Sequence, residues 1–545
     1  MVRVINHNYI TYENDIRALL QAFFPGQQLL WSADDAAGNA AGEGDRQSIT
    51  VDVDAICDGC DRSRDRFIDK SLIKRVLYKH LAVMTGRLLP WGTLTGIRPV
   101  RIVEMMLAKG LDPDAAREEI RELFLVSEEK LDLMFSIHAR EQEVLARLDA
   151  ARGYSIYIGI PFCPTRCLYC SFTSNPVDRW EHRIDEYLEA MRRELEQIRA
   201  LAGAAGENEK APAAAAAETA AGEELPGRNR IAGRKLQTIY VGGGTPTALS
   251  AAELDKLLTM VEEIFGYETF ERTLPEDGPS DRGNGKEMIR RVPVAELTVE
   301  AGRPDSITKE KLEVLRRHGV DRISINPQTM HQKTLDLIGR RHTVEQTVEA
   351  YRLARGMGFG NINMDLIIGL PGEDLEDVCE TLRQIEVLHP DSLTVHALAV
   401  KRSSRLSTEG KAWGGVARKG LDDEGMDEVA EMTALGAATA AGLGLQPYYL
   451  YRQKNMAGNQ DNVGYAAPGK ECAYNILMME EKHTVIGVGA GSSTKEVSYA
   501  LGPSLEKTVR RFENVRNIED YLSRIGELLE RKQAFFEESL TMPHR

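Results

Sequence analysis

Long apolar runs are missing from this chain of 545 residues. No stretch of 18 consecutive apolar residues occurs, so no membrane span is expected. The opening residues, MVRVINHNYITYEND, hold no apolar core of signal-peptide type, so no leader is expected either. Cysteine is scarce: seven residues, an odd number. That is too few for a disulfide scaffold. Positive charge is outweighed, with 68 Lys and Arg against 83 Asp and Glu, a formal net charge of −15. Such a chain is a poor non-specific ligand for nucleic acid or anionic lipid, although a local basic pocket for an anionic substrate stays open. No nucleic-acid motif is found. The chain is expected to be cytoplasmic, with no nucleic-acid partner and no membrane span, and a monomer is expected.

Hydrophobic content is 42% and charged content 28%, ordinary for a globular protein with a normal core. At about 150 residues per domain the length suggests three or four units, fewer if one is a barrel. Residues 1–150 read as an α+β region. Helical patterns are predicted over 14–24, 71–84 and 112–145, and a half-buried strand over 48–56. Residues 151–400 alternate strands and helices. Strands are predicted over 155–160, 238–241, 296–300, 322–325, 361–368 and 392–398. Helices are predicted over 178–201, 251–265, 308–317, 345–357 and 374–388. Strands separated by helices imply parallel pairing and an α/β fold, here a partial (β/α)6 barrel. In such a fold chemistry sits at the carboxyl ends of the strands. Two low-complexity stretches, 202–234 and 272–292, are predicted to loop out of it. Residues 401–545 read as a mainly helical region over the barrel mouth, with helices at 422–441 and 517–536 and a strand at 484–488.

Three of the seven cysteines fall within eight residues, in YIGIPFCPTRCLYCSF (157–172). The spacing is C-x3-C-x2-C, just after the first barrel strand. Thiolates of Cys163, Cys167 and Cys170 can hold three irons of a [4Fe-4S] cube and leave the fourth iron open, as a catalytic metal requires. A zinc loop would want a fourth ligand, and none follows at the usual spacing. S-adenosylmethionine (SAM) can chelate the open iron, and one electron from the cluster then releases a 5′-deoxyadenosyl radical. The hard chemistry belongs to the cofactor, and the protein orients it. One strand later, VGGGTPT (241–247) lets backbone N–H groups approach a ligand closely. By itself it reads equally well as a tight strand-to-helix turn.

Together with TVEAGRPD (298–305), SINPQT (324–329), LIGRRHT (337–343) and NMDLIIGLPGE (363–373), these motifs resemble the oxygen-independent coproporphyrinogen III oxidases. These coproporphyrinogen dehydrogenases belong to the radical SAM superfamily. The resemblance covers about 154–500, and residues 1–150 look like the longer branch of the family. It implies SAM contacts at Tyr157, Tyr169, Gly243, Gly244, Thr245, Glu300, Gln328, Arg340 and Asp365, with Ala399 a further match. Tyr157 and Glu300 are the expected catalytic pair. The implied reaction decarboxylates two propionates of coproporphyrinogen III to vinyl groups, giving protoporphyrinogen IX. The implied partners are this tetrapyrrole and an electron donor, a reductase or a flavodoxin- or ferredoxin-type protein. Arg166, Arg340 and Arg341 are candidates for the propionates.

The chain also departs from the family. Ser171 and Phe172 stand where the oxidase branch has glycine and cysteine, and Gly159 stands for a histidine. A sister branch of haem chaperones carries a His-Asn…Tyr-Trp signature, and DNVGYA (461–466) places Asp461 and Ala466 at its ends. Three readings therefore stand side by side: dehydrogenase, haem chaperone, or a radical SAM enzyme on another substrate. Cys57 and Cys60 form a C-x2-C pair read as incidental thiols, and Cys379 is read as core. GVGAGSS (487–493) reads as a tight backbone passage where the resemblance leaves a cofactor contact open. PYYLYRQKN (447–455) reads as a partly buried strand.

Overall fold

The computed structural model describes residues 1–25, 27–31, 49–58, 60, 66–96, 98–150, 153–203, 231–266, 269–273, 286–290, 294–400, 404–406, 425–453, 456, 459–499 and 507–538. Its main strands are β1 (Val2–Ile5), β2 (Leu29–Trp31), β3 (Ile49–Asp52), β4 (Gly153–Ile160), β5 (Lys235–Gly243), β6 (Glu296–Glu300), β7 (Arg322–Ser324), β8 (Ile362–Ile368) and β9 (Ser392–Ala397). They continue with β10 (Gln446–Tyr451), β11 (Asn462–Ala466), β12 (Thr484–Val488), β13 (Ser493–Tyr499) and β14 (Lys507–Glu513). The main helices are α1 (Glu13–Phe23), α2 (Arg66–Thr85), α3 (Val100–Ala108), α4 (Pro113–Phe124), α5 (Glu128–Leu145), α6 (Ile184–Gly203) and α7 (Ala251–Phe265). After them come α8 (Lys309–Arg317), α9 (Val344–Gly356), α10 (Leu375–Leu388), α11 (Met426–Gly442), α12 (Ala473–Met479), α13 (Ile518–Ser523) and α14 (Ile525–Glu537). No described helix is long and apolar enough to cross a membrane.

The chain divides into two compact units, and neither is contiguous. The first holds Met1–Gln142, Leu366–Glu386 and Thr394–Ala466. In it β2, β1 and β3 form a parallel sheet. Helices α1 and α2 cover that sheet, their Phe23 and Tyr78 rings meeting edge to face at 5.2 Å. The helix predicted over 112–145 is broken into α4 and α5. Leu125 takes a left-handed φ of 56°, and the Phe124 carbonyl accepts from the Thr93 N–H at 2.7 Å. The missing side chain of Gly92 permits this approach, since a Cβ there would lie 2.1 Å from the Phe124 oxygen. Strand β10 pairs antiparallel with β11, in the segment where a partly buried strand was expected.

The second unit holds Glu143–Asp365, Val387–Leu393 and Ala467–Arg545. In it β4, β5, β6, β7 and β8 lie parallel in chain order, each followed by a helix. Strand β12 runs parallel to β4 on the side away from β5. This is the strand–helix alternation of a partial (β/α)6 barrel, the expected α/β fold. Strand β4 is buried along almost its whole length, because parallel strands are covered on both faces. Helix α7 starts at a Ser250–Glu253 capping box and ends at left-handed Gly266, which satisfies the free amides and carbonyls of its ends.

Three expectations need correction. Residues 286–290, inside the stretch predicted to loop out, pair antiparallel with 269–273; most of the rest of both stretches lies outside the described residues. The tail is two helices, α13 and α14, because Arg524 leaves helical geometry at φ −111°, ψ 17°. The C-terminal region, read as mainly helical, also carries β10 to β14.

Candidate active site

The cysteine loop leaves the carboxyl end of β4 in the second unit. Its backbone is tied down on two sides. The Leu168 N–H donates to the Ile338 carbonyl at 2.9 Å, and the Thr165 hydroxyl to the Gly339 carbonyl at 3.1 Å. Phe162–Cys163 pairs with Asn175–Pro176. The Cys163 Sγ accepts from the Thr245 hydroxyl at 3.5 Å. Arg303 is buried and holds Asp305 through Nε and Nη2 at 3.0 and 2.8 Å. Its Nη1 reaches the Thr165 hydroxyl at 3.0 Å and the Cys167 Sγ at 3.8 Å. The Cys170 Sγ lies 3.7 Å from the Ser174 hydroxyl.

The three thiols thus share one loop and feel each other's charge. Burial, then Cys167 and Cys170, push Cys163 up to about 12, against the Thr245 hydrogen bond. Burial also raises Cys170. Ligation takes the thiolate, so iron binding works against this cost, and Arg303 supplies a cation beside the sulfurs. Among the described residues no three His, Cys, Asp or Glu side chains converge on one metal ion.

The glycine turn of β5 is stitched to the same loop. The Gly244 N–H donates to the Ile160 carbonyl, and the Thr245 N–H to the Phe162 carbonyl, both at 2.7 Å. A Cβ on Gly244 would lie 2.5 Å from the Phe162 oxygen and 3.0 Å from the Cys163 Sγ. Gly243 has φ +107°, and a Cβ there would lie 3.2 Å from the Tyr157 hydroxyl. Only glycine fits these two positions.

Glu300 ends β6 beside this turn. Its Oε1 accepts from the Tyr240 hydroxyl at 2.6 Å. Burial, with Asp365 adding repulsion, lifts its carboxyl to about 7; the Tyr240 and Gly243 hydrogen bonds oppose the rise. The Tyr157, Tyr240 and Tyr474 rings stack, with centroids 4.5 Å apart for Tyr240–Tyr474 and 6.1 Å for Tyr157–Tyr240. Tyr240, Tyr474 and Arg303 were not singled out from the sequence. Strand register holds the signal for Tyr240: it pairs with Thr298, so Glu300, two residues on, lies on the same face.

Gln328 takes a left-handed φ of 69°, and its N–H donates to the Asp365 carbonyl at 2.9 Å. Such strain is held only where the surroundings enforce it, and functional sites collect it. The Asn363 amide holds the Asp365 carboxylate at 2.7 Å. Arg340 is buried, and its Nη1 donates to the Tyr169 hydroxyl at 2.9 Å. Its Nη2 donates to the Gly302 and Asn326 carbonyls, both at 2.7 Å, and only Nε lacks a partner. The expectation that Arg340 meets a propionate is therefore corrected: its fork is spent on the protein. Arg166 and Arg341 are exposed. Ala399 belongs to the first unit, where it bridges to Met456.

A cavity of about 40 Å³ is lined by Tyr157, Gly159, Gly243, Thr173, Ala490 and Gly491, among others. GVGAGSS therefore does form a wall beside the tyrosine and the glycine turn. Cys57 is buried, and burial pushes its thiol up to about 12, in line with incidental thiols. Cys379 is half-buried rather than core.

The fold and the cysteine loop define a radical SAM protein, one that works with a [4Fe-4S] cluster and SAM. The sequence profile of the Radical SAM superfamily matches residues 157–385. The oxygen-independent coproporphyrinogen-III oxidase-like protein HemZ of Bacillus subtilis is 38% identical over 470 residues, 86% of this chain and 81% of that one. The chain belongs to this oxygen-independent coproporphyrinogen-III oxidase-like family. The heme chaperone HemW of Bacillus subtilis is 30% identical over 45% of this chain and 51% of its own length. Among solved structures, coproporphyrinogen III oxidase HemN of Escherichia coli matches at 20% identity and a TM-score of 0.45, covering 72% of each chain.

Proposed function

We propose that this chain decarboxylates two propionates of coproporphyrinogen III to vinyl groups, giving protoporphyrinogen IX. Cys163, Cys167 and Cys170 hold the [4Fe-4S] cluster in this reading. Bound there, cluster and SAM supply a radical strong enough to take a hydrogen atom from an unactivated carbon. Gly243, Gly244 and Thr245 give SAM a backbone cradle, and Glu300 accepts hydrogen bonds from it. Tyr157 closes one wall. Arg340 fixes Tyr169 beside the cluster loop. Gln328 and Asp365 border the same strand ends, and Ala399 follows β9. Arg166 and Arg341 are the exposed candidate cations for propionates in this reading. The electron donor is a reductase or a small flavodoxin- or ferredoxin-type protein in the cytoplasm.

One observation carries the reading: the cysteine loop, the glycine turn and Tyr157 meet at one small cavity, with Glu300 beside the turn. The likeness to HemW keeps a haem chaperone as the second reading. Asp461, at the position of that signature's histidine, weighs against it. It is buried and accepts from the Trp91 indole and the Lys130 ammonium, each at 2.8 Å. It is committed to a structural pair and is no haem ligand.

The test is anaerobic turnover of the reconstituted protein with reductant, SAM and coproporphyrinogen III, following the oxidised product by fluorescence. Product that vanishes in Cys167→Ala supports the dehydrogenase. SAM cleavage without product rejects this substrate, and retention of haem through purification would favour the chaperone.

A further inference from the structure

Helix α6 carries a glutamate with no exposure to water, and α14 a lysine with none. Glu194 and Lys532 form an ion pair, 338 residues apart in sequence. Each partner makes one hydrogen bond to the backbone of the segment that supplies Ala490 and Gly491 to the cavity wall. Glu194 Oε2 accepts from the Gly489 N–H at 2.9 Å and from the Tyr521 hydroxyl at 2.7 Å. Its Oε1 accepts from the Asn514 amide at 2.8 Å. The Lys532 ammonium donates to the Gly487 carbonyl at 2.6 Å. Both partners thus hold the backbone of GVGAGSS.

The next layer fixes that backbone to β4. The Tyr187 hydroxyl donates to the Gly159 carbonyl at 2.8 Å and accepts from the Ala490 N–H at 2.9 Å. Gly489, at φ +94°, lies so close that a Cβ would be 2.4 Å from the Gly159 oxygen. Gly159, Ala490 and Gly491 all line the cavity opposite Gly243. A buried ion pair adds little net stability over an apolar pair of the same volume. What it does supply is direction: a charged donor and a charged acceptor, each with defined hydrogen-bond geometry.

We infer that Glu194 and Lys532 are positioning residues that set the 487–491 wall for SAM. This deepens the proposed function and rests on SAM lying against that wall. SAM itself would touch the loop and neither side chain.

The experiment uses the full reconstituted chain and measures iron content and the SAM dissociation constant by equilibrium dialysis. Lys532→Met should weaken SAM binding by about tenfold or more, since displacing a site wall by about 1 Å has effects of that order and larger, with iron per chain unchanged. The double variant Glu194→Gln, Lys532→Met leaves no unpaired charge. It should fold where the single variant does not, and it should show the same weakening. Leu528→Ala, a buried position on the same helix that makes none of these hydrogen bonds, should keep the wild-type constant. SAM binding at wild-type strength in the double variant would overturn the inference, as would equal weakening in Leu528→Ala. A wild-type protein that takes up iron and binds no SAM would instead overturn the proposed function, and this inference with it.

Discussion

A carboxyl group that titrates near neutrality beside the proposed SAM cradle should make SAM affinity depend on pH. Glu300 is lifted from 4.5 to about 7, chiefly by burial and secondly by Asp365. A carboxylate accepts hydrogen bonds from a ligand in its ionised form. With the group half-titrated near pH 7, about a tenth of it is ionised at pH 6 and nearly all at pH 8.5, so affinity should rise about tenfold between them. SAM's own amino group titrates as well, and the Glu300→Gln protein isolates that part because its amide does not titrate. The ratio of the two dissociation constants should therefore change about tenfold across the range. Equilibrium dialysis at pH 6, 7, 8 and 8.5 reads it directly. Parallel profiles in the two proteins would show that Glu300 does not titrate against bound SAM. A second consequence concerns the ligand-free chain. A carboxyl raised in the fold favours the folded state while protonated. That contribution is complete below pH 4.5 and lost as pH rises through about 7. Glu300→Gln should thus melt above wild type at pH 8.5 and level with it at pH 5. The ceiling is about 3 kcal/mol, reduced by water that reaches the partly exposed carboxyl.

Two further substitutions test separate parts of the account. Gly244→Ala places a Cβ against the Phe162 and Ile160 carbonyls and the Cys163 Sγ. Iron per chain after reconstitution should fall well below wild type, and full occupancy would contradict the tight turn. Lys130→Met takes the paired ammonium from the buried Asp461 carboxylate, which keeps the Trp91 indole and the charge of Arg452 nearby. Urea denaturation should show a loss of about 3–5 kcal/mol, the cost of a buried charge deprived of its partner; a loss under 1 kcal/mol would mean that water reaches the pair.

Much of the fold was legible because parallel strands and their helices write strong local patterns. The strands over 296–300 and 484–488 and the helix over 251–265 match the observed elements end for end. Helix breaks were not legible. Leu125 leaves the helix because a turn some 30 residues earlier captures its neighbour's carbonyl, and no local periodicity encodes that. The same limit governs the site. The cysteine loop and the glycine turn are contiguous motifs and stand out. Tyr474 stacks on Tyr240 across more than 200 residues, and Lys532 meets Glu194 from the opposite end of the second unit's sequence. Arg303 stood inside a quoted motif, yet only the geometry shows its guanidinium beside Cys167. Arg340 shows the reverse error: arginine suits propionate chemistry, but burial has already assigned its donors.

The most direct test of the central claim follows a hydrogen atom. Coproporphyrinogen III deuterated at the β-carbons of its propionates is turned over anaerobically with SAM, and the 5′-deoxyadenosine formed is weighed by mass spectrometry. One deuterium in the deoxyadenosine is expected for each propionate lost, with vinyl product in step. Deoxyadenosine free of deuterium, formed while the tetrapyrrole stays intact, would contradict it.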